Sequence, residues 1–203
     1  MEIKTLILDN KYFLKDLYKE IYNKLISLEK EYSNFFFWFF IKVVKDIELG
    51  KRKIILKYID DEIAGIAILK DSLEEKKICT LRVIDKFKKL GIGKKLFIES
   101  FEILKTDHPL ITVSSSYIHE YQNLFKYFNF NLEEEYLDYY FLGKKEYSFN
   151  GLLLKQNYLD LKNKIKFNEY KIVNNKFSFE NSRNDIFKVP FNNKKLIYNQ
   201  NLY

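Results

Sequence analysis

Three apolar runs between residues 53 and 84 constrain this chain more tightly than any other feature of it. The first, Lys53-Ile54-Ile55-Leu56-Lys57-Tyr58-Ile59, is parted from the second, Ile63-Ala64-Gly65-Ile66-Ala67-Ile68-Leu69, by little more than the turn-like Asp60-Asp61. A polar stretch from Asp71 to Lys76 then leads into Ile78-Cys79-Thr80-Leu81-Arg82-Val83-Ile84. Short apolar runs bounded by turn formers read as strands, and a link as short as the first makes a tight hairpin. The segment predicts three consecutive strands of an antiparallel meander.

The flanking sequence supplies helices. Glu2 to Leu8 alternates as a short strand, Asp9 and Asn10 break it, and Tyr12 to Leu28 carries apolar residues at helical spacing. Asn34 is placed to cap a second helix running through the aromatic cluster to about Leu49, with Gly50 as its stop. After Asp85 a glycine turn opens an amphipathic helix that reaches Leu104. Pro109 starts a buried strand, Leu110 to Ser114, and a helix from Ile118 to Phe128 and an aromatic strand pair through Tyr147 follow.

Residues 1–150 thus read β-α-α-β-β-β-α-β-α-β-β, an α/β domain with a mixed central sheet flanked by helices. Residues 151–203 read as a C-terminal extension, helical from Leu152 to Ile165 and then irregular, asparagine-rich, with aromatic runs around Phe177, Phe187 and Tyr198. Without a glycine/serine linker it is expected to pack on the first domain.

Composition narrows the function classes. At 203 residues, 47% hydrophobic and 18% aromatic, the chain can bury a core and lies outside the disordered class. The single cysteine, Cys79, excludes an internal disulfide framework. The first residues lack the pattern of a signal peptide, and the run Phe35 to Ile41 is cut by Lys42 far short of the roughly 20 residues that span a bilayer. A cytoplasmic protein without membrane contact is expected. His108 and His119, the only histidines, lack metal-ligand spacing, so no metal is expected. A net charge of +7 suits anionic partners, nucleic acid among them, but no nucleic-acid motif favours that class.

A strand ending near Ile84, Gly91 and Gly93, and a helix starting at once afterwards present free backbone N–H groups to whatever lies ahead of the helix. Missing side chains allow close approach, and the macrodipole with Lys88, Lys89, Lys94 and Lys95 adds positive potential. A pyrophosphate suits such a place. The segment lacks the third glycine of a dinucleotide fingerprint and the Gly-Lys-Ser/Thr ending of a P-loop.

Val83-Ile84-Asp85-Lys86-Phe87-Lys88-Lys89-Leu90-Gly91-Ile92-Gly93 resembles the acetyl-CoA signature of the GNAT superfamily, a strand valine followed five residues later by Arg/Gln-x-x-Gly-x-Gly/Ala. Lys88 stands where Arg or Gln is usual. The element order of residues 1–150 is also similar to that family's, and Glu62 to Ala67 resembles its hairpin strand. Asn123 to Phe130 resembles its Leu-Tyr-x-x-x-Gly-Phe segment, with Phe125 for the tyrosine and Asn129 for the glycine.

The resemblance implies an N-acyltransferase that moves acetyl from acetyl-CoA, its co-substrate, to a primary amine by direct attack. It implies that the backbone of Leu81, Arg82 and Val83 pairs with the pantetheine arm. Phe87, Lys88, Lys89, Leu90, Gly91, Ile92, Gly93 and Lys94 would hold the pyrophosphate. Phe125 has no hydroxyl to protonate the departing thiolate, which leaves Tyr121 as first choice among Tyr117, Tyr121, Tyr127 and the serines Ser114 to Ser116. Glu62 is the candidate base, with Glu74 and Glu75 also near the hairpin strands. Cys79 lacks a neighbouring histidine and reads as a packing residue. Two other readings stay open, a CoA-binding module without chemistry and an acetyltransferase acting on aminoacyl-tRNA. Association into a homodimer is compatible with the resemblance.

Overall fold

The apolar runs pair as a meander in the computed structural model, which describes residues 2–10, 15–32, 34–153, 170–173, 176–180 and 186–190. Strands β2 (Arg52–Ile59), β3 (Glu62–Asp71) and β4 (Lys76–Val83) lie side by side and antiparallel. The β2–β3 link holds both Asp60 and Asp61 at positive φ, 49° and 61°. Two successive left-handed residues are what a hairpin needs to follow the right-handed twist of its strands.

Strand β1 (Lys4–Leu8) pairs with β2, and the sheet continues beyond β4 through β5 (Leu110–Ser114), β7 (Lys145–Phe149) and β6 (Leu132–Leu137), in the order β1-β2-β3-β4-β5-β7-β6. Of these neighbours only β4 and β5 run parallel. Their crossover is α4 (Ile92–Leu104). Helix α1 (Lys15–Leu25) and a 3-10 turn (Ile26–Lys30) follow β1, and α5 (Ile118–Tyr127) follows β5. The element order is the one the sequence predicts.

Alternation along the strands sorts side chains between two cores. In β3, Ala64, Ala67 and Leu69 face Ile92, Leu96 and Phe97 of α4 and Tyr121 and Phe125 of α5. Ile63, Ile66 and Ile68 face the opposite way, toward Tyr18, Ile21 and Leu25 of α1 and the aromatic helix. That helix, predicted as one element, runs as α2 (Phe35–Phe37), a π-helical stretch (Trp38–Val43) and α3 (Val44–Glu48). Phe35, Phe39, Val43 and Ile47 recur every four residues and are all buried. A four-residue step overruns an α turn and underruns a π turn, so combining the two keeps these side chains on one face. Asn34 stands at the N-cap but caps with no side-chain hydrogen bond, a correction to the sequence expectation. Gly50 closes the helical run at φ 70°.

Gly65 lets α4 lie close on the sheet. A Cβ there would meet Ile92 Cγ2 at 2.6 Å and Leu96 Cδ1 at 3.0 Å. The chain divides into two units, Met1–Leu154 and Lys155–Tyr203. In the second, β8 (Tyr170–Val173), β9 (Lys176–Glu180) and β10 (Ile186–Pro190) form a small antiparallel sheet in the order β10-β9-β8, which the sequence reading did not anticipate. The helix expected from Leu152 to Ile165 lies almost wholly outside the described residues. Among the described residues no helix is long and apolar enough to cross a membrane.

Candidate active site

The parallel pair β4 and β5 separates almost as soon as it forms. Only Lys77 with Leu110 and Ile78 with Ile111 are partners. At that point β4 carries a bulge, because Ile68 and Leu69 of β3 pair with Thr80 and Ile78 and leave Cys79 as the extra residue. A bulge bends its strand and raises the local twist, and here it turns β4 away from β5. The result is a wedge-shaped cleft, walled by Cys79 to Arg82 on one side and Thr112 to Ser114 on the other, with Leu28, Tyr32, Tyr117 and Tyr121 at its ends.

The chain leaving the open end of β4 makes the glycine turn. The N–H groups of Phe87 and Lys88 close a 3-10 turn onto Ile84 and Asp85 at 2.8 and 3.2 Å. Lys89 and Gly91 follow with φ of 66° and 77°, and α4 starts at Ile92. Among the described residues the amides of Gly91, Ile92, Gly93 and Lys94 donate to no backbone carbonyl, and the first bond is Lys95 N–H to Gly91 O at 3.1 Å. Ile92 is buried against Gly65, so only its backbone is presented to the turn. Gly93 fits between Val83 and Leu124, where a Cβ would lie 3.7 and 3.4 Å from their side chains.

The cations of the turn are already partnered in part. Lys88 pairs with Asp85 at 2.9 Å and Glu120 at 3.4 Å, the Asp85 bond first among the causes that raise its pKa. Lys94 takes Tyr127 as both hydrogen-bond partner, at 2.7 Å, and π face, at 4.0 Å. Arg82 lies over the Tyr117 ring at 4.2 Å and 3.8 Å from Glu120, with one buried guanidinium nitrogen making no hydrogen bond. Leu81 is buried in the α4/α5 core, so it too offers the cleft its backbone.

Tyr121 reaches the wedge. Its ring stacks on Phe125, centroids 5.6 Å apart, and its hydroxyl donates to the carbonyl of Leu81. Burial first, opposed by Arg82, pushes its pKa up to about 12, so the phenol keeps its proton at neutral pH. Phe125 lies inside the core between Phe130 and Phe149. Asn129, where a glycine resembles the family pattern, has φ 53°, a left-handed conformation that asparagine tolerates better than most residues. Glu62 is not brought to Tyr121. It stands at the start of β3 tied to Lys86 and Lys24, and hydrogen bonds from Lys86 and then Lys24 hold its carboxyl below the usual range. Neither Glu74 nor Glu75 lines the wedge, and Glu75 is paired with Lys70 at 2.5 Å. Cys79 lines it, its sulfur accepting from Arg52 Nη1 at 2.9 Å.

On the far wall, sequence reasoning named Ser114 but missed the carboxylates Glu31 and Glu146 behind it. Ser114 donates to Glu31 Oε2 at 2.6 Å, and Lys144 holds Glu31 Oε1 at 2.6 Å. Tyr32 donates to Glu146 Oε1 at 3.4 Å. Both carboxylates are buried; for Glu146 the period-two pattern of Lys145-Glu146-Tyr147-Ser148-Phe149 could have signalled it only once the inward face of β7 was known.

No protein-family profile matches the sequence, and no curated protein matches it. Among solved structures, a protein from Desulfovibrio desulfuricans assigned to the GNAT acetyltransferases is 13% identical, with a TM-score of 0.49 over 73% of this chain and 97% of its own. A GNAT-family acetyltransferase from Elizabethkingia anophelis with acetyl-CoA bound is 18% identical, with a TM-score of 0.43 over 53% and 80%. Ard1 from Thermoplasma volcanium, 13% identical, superposes with a TM-score of 0.55 over 71% of this chain and 95% of its own. The chain has the GNAT fold. Within it, the bulge at Cys79 and the splayed β4 and β5 open the cleft, and the chain leaving β4 goes on to the glycine turn before α4. Of the two residues that depart from the resembled pattern, Phe125 is a core ring and Asn129 a left-handed residue after α5.

Proposed function

We propose that this protein is an acyl-CoA-dependent N-acyltransferase that moves acetyl from acetyl-CoA to a primary amine by direct attack. One observation carries the reading: the β4 edge left unpaired by the splay is followed, after one short turn, by four amides at the start of α4 that donate to no backbone carbonyl among the described residues. An extended amide-bearing arm can pair with the first, and a pyrophosphate can sit on the second.

The backbone of Leu81, Arg82 and Val83 then takes the pantetheine arm. Gly91 to Lys94 offer N–H groups to the pyrophosphate, while Lys88, Lys89 and Lys94 add charge around it and Phe87 and Leu90 complete the turn. The thioester would lie in the wedge beside Tyr121. Attack by the amine nitrogen forms the amide bond and breaks carbon–sulfur, and Tyr121, its hydroxyl turning from the Leu81 carbonyl, would donate to the departing thiolate. Holding both reactants in one cleft supplies much of the rate.

The test is calorimetric titration of acetyl-CoA and CoA into the wild-type protein and into Gly91→Val and Gly93→Val. A β-branched residue is strained at the φ of 77° of Gly91. Micromolar binding by the wild type and a loss of tenfold or more in each variant, ~1.4 kcal/mol, is expected. A folded wild type that binds neither ligand would sink the reading. Binding without acetyl transfer to any amine, read as no release of CoA thiol, would reduce it to a CoA-binding module.

A further inference from the structure

On the wall of the wedge opposite β4, strand register sets a polar face. Ser114 lies across from Glu146 and Thr112 from Ser148 on the β5–β7 ladder. Ile111, Val113 and Phe149 fill the α4/α5 core, so the residues alternating with them face the other side. There Thr112, Ser114 and Tyr32 line the wedge, and Glu146 stands behind the Tyr32 hydroxyl that donates to it at 3.4 Å.

The two buried carboxylates of this face have different settings. Glu31 is saturated by Ser114 and by the Lys144 ammonium. Glu146, only 4% exposed, has no ion pair among the described residues. A carboxylate kept charged by a cation is a poor proton acceptor, whereas one buried without a counterion gains most from being protonated.

We propose that Glu146 takes the proton that the acceptor ammonium must lose before attack, through the Tyr32 hydroxyl that separates it from the wedge. The inference rests on the acyltransfer reading above. An ammonium gives up two protons on becoming an amide. The first passes from nitrogen to the Tyr32 oxygen as Tyr32's own proton moves to Glu146 Oε1, turning carboxylate into carboxylic acid. The freed lone pair attacks the thioester carbon, the carbon–sulfur pair leaves with sulfur, and the second proton ends on the thiolate. Ammonium, thioester and carboxylate become amide, thiol and carboxylic acid, with charge conserved, and Glu146 returns its proton to water between turnovers.

The electrostatic setting of Glu146 agrees with the geometry. Burial, only partly offset by Thr112, Lys77 and Tyr32 and reinforced by Glu31, pushes Glu146 up to about 7. The groups around it are Lys77 of β4, Thr112 and Ser114 of β5, Tyr136 of β6, Glu31 and Tyr32 ahead of α2, and Tyr140 between β6 and β7. Tyr32 is raised well above its ordinary value, chiefly by burial, so it conducts a proton and does not store one.

The experiment compares full-length wild type, Glu146→Gln, Glu146→Asp and Tyr32→Phe. Release of CoA thiol is followed with n-butylamine as probe acceptor from about pH 5.5 to 9, and acetyl-CoA affinity is measured in parallel. A positioned base contributes about a hundredfold or more. E146Q should lose about that factor in kcat together with the acidic limb of the pH profile, with acetyl-CoA affinity within twofold of wild type. E146D should restore part of the rate and the limb, and Y32F, which keeps the ring, should lose about tenfold.

Infrared difference titration of wild type against E146Q reads the carboxyl without needing an acceptor. A carboxylic acid band that titrates near neutrality and vanishes in E146Q is expected. Its absence, or an E146Q profile with its acidic limb intact, overturns the proposal while leaving acetyl-CoA binding untouched. A wild type that binds no acetyl-CoA instead overturns the donor reading, and this inference with it.

Discussion

Burial raises the pKa of any carboxyl, and what separates Glu31 from Glu146 is the company each keeps. At Glu31 that penalty is outweighed by hydrogen bonds from Lys144, Ser114 and Ser116, so its carboxyl ends below its ordinary value. At Glu146 the offsets fall short and the pKa is about 7. A carboxyl whose folded pKa is raised contributes stability that is complete below about 4.5 and lost as the pH rises through about 7. The difference amounts to about 3 kcal/mol. Urea unfolding should show wild type losing stability across that window while E146Q loses markedly less; equal pH dependence would refute the assignment.

Tyr121 offers a second prediction at this scale. Y121F should lower kcat about tenfold or more with acetyl-CoA affinity unchanged, read from steady-state kinetics and calorimetry. Tyr121 was legible from sequence because it precedes Phe125 by one helical turn and so shares its face. Glu146 was not legible, because which face of β7 turns inward depends on a register that only the folded sheet sets.

Elements were easier to read than their side chains. Periodicity located every strand of the main sheet and the four helical regions, since alternation and amphipathic spacing are local properties. The bulge at Cys79 is not local. It exists only through the mismatch between β3 and β4, and with it the wedge stayed hidden. The π stretch in the aromatic helix escaped for a similar reason, being set by four-residue contacts with the core beneath. Packing of α4 on β3 gives the clearest test. Gly65→Val would drive a side chain into Ile92 and Leu96, whose atoms already stand 2.6 and 3.0 Å from a Cβ. A cost of about 1–3 kcal/mol is expected from chemical denaturation. Because Ile92 begins α4 straight after the glycine turn, the proposed function predicts weaker acetyl-CoA binding too, and a variant with unchanged stability and affinity would show that α4 is not held there.

For the molecule as a whole, both cores and the cleft are built, among the described residues, from residues up to Phe149. We therefore expect a chain ending after Leu154 to fold and to bind acetyl-CoA within a few-fold of the full chain, measured by calorimetry. Loss of folding would show that residues 155–203 are needed by the first unit. The net charge of +7 should make binding of the anionic donor weaken as salt is raised.

The splay between β4 and β5 has a consequence for time as well as space. A seven-stranded sheet joined at its middle by two residue pairs is two shorter ladders sharing a seam. On the proposed function the donor's arm sews that seam, so occupancy and mechanical integrity rise and fall together. Amide hydrogens of Thr80 to Val83 should exchange quickly with solvent in the idle protein and slow when the donor is bound, then quicken again each time CoA departs. A catalyst built this way is stiffest while loaded, and its cycle of turnover is also a cycle of partial unravelling and repair.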